Sequence, residues 1–447
     1  MSFNIGLSGL YAANKQLDVT GNNIANVATT GFKSSRAEFS DIYAASKLGT
    51  GQNSVGSGVN LAAVSQQFTQ GDVNNTGGLL DMAIQGGGFF VQKGSDGSLE
   101  YTRSGTFRSD KDGYITNNTG TSRLQGYAAD ADGNIIKGAL TDLQLNLSNL
   151  PPKASTKVDS TSNLNSSSPV IDQAAHPFDP TESSSFSTQY NTTLYDTQGN
   201  AHPMVQYLVK TDSNTWKSYT LIDGRNPDGS APTGTGSTPP VASTLSFDGA
   251  GKLTGIVTGG TSSTTLQLTG WVPGTVTNGV WTKNGANANP GGIAINMGNI
   301  TQYNSATYRN PPVTDGYATG QITGLNIDGN GVLFATFSNQ QSKAIGQLSL
   351  ASFNNEQGLQ PSGGTTWKET FASGQPGYDA PQSGTLGSIV SKSLENSNVN
   401  LTNELVDLIK AQSNYQANAK TISTQSTIMQ TIIQMTCCLL YTSDAAD

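Results

Sequence analysis

Cysteine is almost missing. The chain carries two, Cys437 and Cys438, adjacent and near its end. Neither a disulfide framework nor a CxxC metal site can be built from them. Histidine is as scarce: His176 and His202 each precede a proline in loop-like sequence. Ser-His-Asp, Cys-His and His-rich zinc arrangements therefore have thin support, and no catalytic, cofactor-binding or metal-binding residue is assigned. Charge is sparse too, at 12% of 447 residues with a net of -8. A nucleic-acid binder needs a basic face, which this balance denies. No apolar run reaches the roughly 18 residues of a membrane span, so no membrane insertion is expected. The opening "MSFNIGLSGLYAANKQ" lacks a basic start and a long apolar stretch, so it does not read as a cleaved secretory signal.

What is abundant is glycine, at 52 residues, together with Ser, Thr and Asn. That is the composition of a mainly β, turn-rich protein, long enough for about two or three domains. "DKDG", "DADGN", "DTQGN", "FDGAG" and "NIDGNG" read as turns between strands such as "VQYLVKT" and "VLFATFS". "DADGN" places Asp130, Asp132 and Asn134 like the first ligands of a calcium loop. Ile135 and Thr141 then stand where such a loop needs Gly and Glu, so a hairpin turn is expected. Gly86–Gly88 lacks the GK[ST] ending of a phosphate loop and reads as a close backbone approach or a bulge.

The two ends are different in kind. Phe3, Leu7, Leu10, Asn14, Leu17, Gly21, Ile24 and Ala28 alternate spacings of four and three. So do Leu401, Leu405, Leu408, Gln412, Tyr415, Ala419, Ile422, Ser426, Met429 and Ile433. Both are heptad seams, the pattern of coiled-coil packing. Asn400 can cap the second helix, which would span about 52 Å to Met435 at ~1.5 Å per residue. The two seams could pair within one molecule. Val406, Ile409, Ile428 and Ile432 lie off the strict seam, however, so more than one face asks for burial, and neighbours from other copies are inferred. The first seam runs out in "NNIANVATTGFK". Asn22, Asn23 and Asn26 suit bonds to nearby backbone rather than a helix interior, Gly31 can supply a left-handed stop, and Phe32 an apolar contact beyond it.

The resulting division is a helix at 1–33, an extended connector at 34–78 anchored by Phe39, Ile42, Tyr43 and Phe68, and a β-domain from two segments, 79–152 and 300–360. A second β-domain, 153–299, is inserted into the first after Pro151 and Pro152. A connector at 361–395 leads to a helix at 396–436. Residues 437–447 are read as a non-native tail, since "CLLYTSDAAD" looks like a translated adapter used in preparing DNA libraries.

"SGLYAANKQLDVTGNNIANVATTGFKSSRAEF" resembles the N-terminal signature of the bacterial flagellar rod and hook axial proteins, with Asn22, Asn23, Ile24, Ala25, Asn26, Gly31 and Phe32 at its centre. "SLENSNVNLTNELVDLIKAQSNYQANAKTISTQSTIMQTIIQM" resembles their C-terminal signature. "FTQGDVNNTGGLLDMAIQGGGFFVQ" and "YTRSGTFRSDKDGYITNNTGTSRLQGY" are similar to the β-domain of the same family. "TTLYDTQGNAHPMVQYLVKTDSNTWKSY" and "NITQYNSATYRNPPVTDGYATGQI" resemble segments of its hook members that the shorter rod members lack. The resemblance covers nearly the whole chain except about 226–292 and the tail. It departs at Ser413, where the hook pattern usually has Arg.

The resemblance implies a structural subunit of the flagellar hook, not an enzyme, needing no cofactor. The implied mechanism is a helical homopolymer that bends as it transmits torque, with both terminal helices lining its inner layer. Implied partners are other copies, rod and hook–filament junction proteins, a hook cap and the flagellar type III export apparatus, with location outside the cell and no cleaved signal. The competing readings are a distal rod subunit, against which the insertion at 153–299 weighs, and a secreted β-rich adhesin or carbohydrate-active enzyme. An enzyme of that kind needs carboxylates converging in a cleft, and the sequence shows only turn aspartates.

Overall fold

A computed structural model describes residues 2–42, 56–146, 148–234, 236–277 and 280–443. Tyr43, one of the expected anchors, lies outside them. Two helices bracket a chain of short strands. Helix α1 (Ser2–Ala25) stops well before residue 33: from Asn26 on the bonds shorten to three-residue steps, Asn26 N–H to the Asn23 carbonyl, Val27 to Ile24 and Thr29 to Asn26. Helix α2 (Leu401–Ser443) starts behind Asn400, whose Oδ1 accepts the Asn403 N–H at 3.2 Å. Its backbone stays helical to Ser443, into the stretch read as a non-native tail.

The chain forms two compact units. The first takes 1–147, 324–336 and 342–447. Here the antiparallel sheet runs through Val332–Phe337, Ser342–Leu348, Ser122–Ala128, Phe89–Gly94, Leu99–Thr102, Thr366–Lys368 and Gln360–Gly363 in that order. One face buries Met82, Ile84, Phe90, Leu124, Leu348 and Leu350. Phe89, Tyr101 and Trp367 form a second cluster, in which Phe68 packs edge-on against Phe89 and Trp367. Among the described residues, strands occur in both expected connectors. Ser35–Asp41 pairs antiparallel with Val59–Gln66, Val73–Asn75 with Ser393–Glu395, and Met82–Gln85 with Ser388–Ser391. The three-residue strands carry too few alternations for a period of two to be read from sequence, and burial along Ser35–Asp41 does not alternate. The glycine run is a close approach: a Cβ on Gly86 would lie 2.9 Å from the Gly387 Cα.

The second unit takes 148–323 and 337–341, wider than the 153–299 expected. The difference arises because Ile293–Tyr303 pairs parallel with Lys157–Asn165, and Leu150 bridges Gly320, so residues just past 299 belong with the insertion. An antiparallel sheet of Thr188–Tyr195, Ala201–Asp212, Thr215–Ile222, Ala242–Phe247, Leu253–Thr258 and Thr261–Ser263 shares one core with the sheet built on Ile293–Tyr303. Leu194, Met204, Trp216 and Leu245 come from the first sheet, and Val158, Ile293, Ile295 and Met297 from the second. Trp216 Nε1 donates to Gln302 Oε1 at 3.0 Å across that core. On the other face of the first sheet, the Phe178 ring stacks on Tyr219 with centroids 4.1 Å apart.

His202 is not in a loop. It sits in the strand Ala201–Asp212, 2% exposed, with Nδ1 2.7 Å from Asp223 Oδ2 and Nε2 3.2 Å from Asp196 Oδ2. Carboxylates only accept, so two of them satisfied at once require both ring nitrogens to carry protons. Burial opposes the imidazolium, but the hydrogen bonds and charges of Asp223 and Asp196 outweigh it and raise the His202 pKa. Asp196 is also penalised by burial, yet bonds from Asn200, Asn284 and His202 bring its pKa down to about 2.

His202 therefore gives its full stabilisation below the unfolded histidine value of about 6.5 and loses it as pH rises through the raised folded value. Asp196 gives its own above the ordinary 3.8 and loses it as pH falls through about 2. Thermal unfolding followed by fluorescence of Trp216 and Trp271 should show the midpoint of the inserted unit falling as pH climbs from about 6 to 9. In His202→Gln the unit should be weaker by about 1–3 kcal/mol near neutrality and that slope should vanish. An unchanged slope in the variant would remove His202 as its source.

Candidate functional site

The terminal helices lie antiparallel. Asn23 Nδ2 donates to Glu404 Oε1 at 3.0 Å near one end, and nearer the N-terminus Gly9 faces Asn418 and Gly6 faces Ile422. The contact is close. A Cβ on Gly9 would fall 2.5 Å from Asn418 Oδ1, and one on Gly6 would fall 3.1 Å from Ile422 Cγ1. The buried positions of α1 are Gly6, Ala13, Thr20 and Asn23, and Ala411 is fully buried on α2. This is a heptad row as well, set one position before the large apolar row at 7, 10, 17 and 24. Small side chains let the two backbones approach, and the pair is formed through them.

The large residues chosen by periodicity lie beside this contact. Leu10, Leu17 and Ile24 are half-buried and Leu7 is exposed. On α2, Leu408 and Ile422 are half-buried, whereas Leu401, Leu405, Tyr415, Met429 and Ile433 are exposed, Leu405 by 45% and Met429 by 54%. Val406, Ile409 and Ile428, off the seam, are exposed too. Pairing within one chain therefore leaves a broad apolar surface on α2 in contact with water. Glu404 stands at the end of the paired region. Burial raises its pKa above the ordinary value, the Asn23 hydrogen bond works against this, and Asp407 adds to it.

The asparagine cluster forms a corner. Asn26 Nδ2 donates to the carbonyl and Oδ1 of Asn22 at 2.9 and 3.1 Å, and Thr29 Oγ1 donates to Asn26 Oδ1. Asn23 clamps the start of the next strand: its Oδ1 accepts the Ser35 N–H at 2.9 Å and its Nδ2 donates to the Ser35 carbonyl at 2.8 Å. Ile24 and Phe32 are half-buried and Ala25 is exposed. Gly31 has φ +70°, and a Cβ there would sit 2.4 Å from the Ser104 nitrogen, so both conformation and space demand glycine.

Beneath the corner is a feature that periodicity does not reveal. Glu395 is fully buried between two cations, with Lys33 Nζ at 2.6 Å and Arg103 Nη1 at 3.3 Å. Its Oε1 also accepts the Gly71 N–H at 3.0 Å, and its carbonyl accepts the Gly31 N–H at 2.8 Å. Lys33 Nζ donates further to the Thr69 carbonyl at 2.7 Å. Burial lowers the Lys33 pKa in spite of Glu395. All three charges lie in segments that carry the family resemblance. In a chain so poor in charge, that coincidence was the available signal.

Among the described residues, no group of three or more His, Cys, Asp or Glu is placed to hold a metal ion, and no helix is long and apolar enough to cross a membrane. Asp130 Oδ1 accepts the N–H groups of Asp132 and Asn134, so "DADGN" closes on itself as a turn.

Comparison with known proteins matches the chain in four stretches. Residues 3–33 match the flagella basal body rod protein family, and 83–149 the D1 domain of the flagellar hook protein FlgE/F/G. Residues 163–317 match the flagellar basal body protein FlaE D2 domain, and 390–435 the C-terminal region of the flagellar basal body rod FlgEFG proteins. The chain is 38% identical to the flagellar hook protein FlgE of Salmonella typhimurium, over 97% of its own length and 100% of the relative's. It is 36% identical to that of Escherichia coli over 97% and 100%. With that of Borreliella burgdorferi it shares 32% identity over 96% and 98%.

Glu395→Gln should lower the unfolding free energy by roughly 3–5 kcal/mol, because it strands two buried cations. Denaturant titration of the full chain measures this. Asp18→Asn, which breaks the exposed Lys15–Asp18 pair, should leave the midpoint in place. Equal effects of the two changes would refute a special role for the buried cluster.

Proposed function

The chain belongs to the flagellar hook protein family, and from that premise we propose how its terminal helices serve the hook. Members of this family are structural, and this chain is a structural subunit of the flagellar hook. Both ends match families with rod names, but the relatives matched along their whole length are hook proteins. In the proposed arrangement, α1 and α2 form the axial layer of a helical homopolymer. The seam residues Leu7, Leu10, Leu17, Ile24, Leu401, Leu405, Leu408, Tyr415, Ile422, Met429 and Ile433 meet neighbouring copies there.

The observation that carries this reading is the division of labour on the helix pair. The small row holds the pair together, and the large apolar side chains of α2 stay outside. An exposed apolar surface of this extent is the mark of an interaction site. Contacts between copies made by such side chains, without buried ion pairs, can shift slightly and re-form, which suits a joint that bends while carrying torque. Rod and junction proteins, a cap and the type III export apparatus are further partners in the same proposal, with assembly outside the cell and no cleaved signal.

The test is assembly of the purified full chain, followed by sedimentation and electron microscopy. The wild type should form tubes above a threshold concentration. Leu405→Ser with Ile409→Ser should leave monomer helicity unchanged and raise that threshold at least about tenfold, given the apolar area each side chain would otherwise bury. Assembly of the double variant at the wild-type threshold would overturn the proposed role of these rows.

A further inference from the structure

Phe371 is the most exposed large apolar residue of the described chain, at 106% of its reference surface. A single exposed apolar side chain is common on protein surfaces. This one stands on a turn that is fixed from all sides. Thr370 N–H donates to Ser373 Oγ at 2.9 Å, and Ser373 Oγ donates back to the Thr370 carbonyl at 2.8 Å. Thr370 Oγ1 accepts the Ala372 N–H and donates to the Gly358 carbonyl at 2.6 Å. Asn355 Nδ2 holds the Ala372 carbonyl at 3.0 Å. Gly358 lies so close beneath that a Cβ there would come within 2.4 Å of the Ala372 carbonyl carbon and the Ser373 nitrogen. Ser373 is fully buried, while the phenyl ring two positions before it stands in water.

We propose that Phe371 is an assembly anchor of the first unit, a rigid aromatic knob that enters an apolar recess on a second copy of this chain. Binding hot spots favour aromatic side chains whose position is settled before contact, because little conformational freedom is then lost. The occupant follows from the chemistry around the knob. The stretches flanking it present Asn354, Asn355, Gln357 and Gln375, all neutral and exposed, with the half-buried Glu356 as the one charge among them. The Glu369 carboxylate nearby already accepts the Tyr101 hydroxyl at 2.8 Å. Copies of a chain with net charge -8 repel one another, so a contact between them is best made through surface with few charges, as here. In a helical homopolymer the same turn meets the same kind of neighbour at every subunit, so one knob is used throughout. This inference rests on the polymer reading above and adds a contact outside the terminal helices.

The test uses the full chain with p-benzoylphenylalanine at 371, irradiated as dilute monomer and as polymer, beside Phe371→Ala. Irradiated polymer should yield covalent chain–chain adducts that dilute monomer does not. Phe371→Ala should melt like the wild type and raise the assembly threshold about ten- to hundredfold. Polymers that form without chain–chain adducts, adducts only with a different protein, or Phe371→Ala assembling at the wild-type threshold would each overturn the anchor while leaving the polymer reading intact. A wild-type chain that forms no polymer would instead overturn the polymer reading and the anchor with it.

Discussion

A single buried carboxylate decides where the terminal helices meet the strands of the first unit. Glu395 receives Lys33 from the segment after α1, Gly71 from the segment after the first hairpin, and Arg103 from the sheet. A few residues later its own strand becomes α2. Such a cluster is a poor source of net stability, since taking three charges out of water costs about as much as their attraction returns. What it does supply is uniqueness. Any other register of the strand Ser393–Glu395 on Val73–Asn75 would leave a charge buried without its partner. The corner residues act on the same end: Asn23 joins α1 to both Ser35 and Glu404, and Asn398 ties Ser34 to the Gln67 carbonyl.

With the exit fixed, the helix pair need not be strongly apolar inside. Gly6, Gly9, Ala13 and Ala411 bury little area, so the pair is held largely by its anchored ends and by close backbone approach. A subunit that used its Leu and Ile side chains on its own partner helix would be a better monomer and a worse building block. Placing the small row inside leaves the large side chains of α2 on the surface of the pair.

The sequence carried much of this plan, but unevenly. Turn chemistry was legible wherever an Asp or Asn side chain closes its own loop, as at Asp110 and Asp130. The Asn400 cap was legible for the same local reason, whereas Gly31 takes its left-handed φ well beyond Ala25, where α1 has already ended, and so does not stop that helix. The heptads were legible as a period, but not as a contact. A search for large apolar residues finds 7, 10, 17 and 24, whereas the partner helix selects the row with least bulk, which carries no hydrophobic signal. The connector at 34–78 was legible only as partly β, and the short strands Val73–Asn75, Ser388–Ser391 and Ser393–Glu395 hid because their partners lie far along the chain. His202 looked like a loop residue because Pro203 comes next. That proline falls near the start of its strand, where a missing N–H is tolerated.

The two buried polar clusters show how far apart two uses of burial can be. Lys33, Arg103 and Glu395 meet out of water, and the segments they join are the ones that position the helices. His202 bridges Asp196 and Asp223 only while doubly protonated, and Asp196 also carries Asn200 and Asn284. The loops those residues belong to are held by a bond that weakens as pH rises. At the helix exit, segments far apart in the chain converge on one carboxylate, so a single register satisfies all of them. The inserted unit tolerates the second kind because its own core of Trp216, Met204, Ile295 and Met297 does not depend on the bridge. The placement of each cluster thus reflects which contacts must stay fixed.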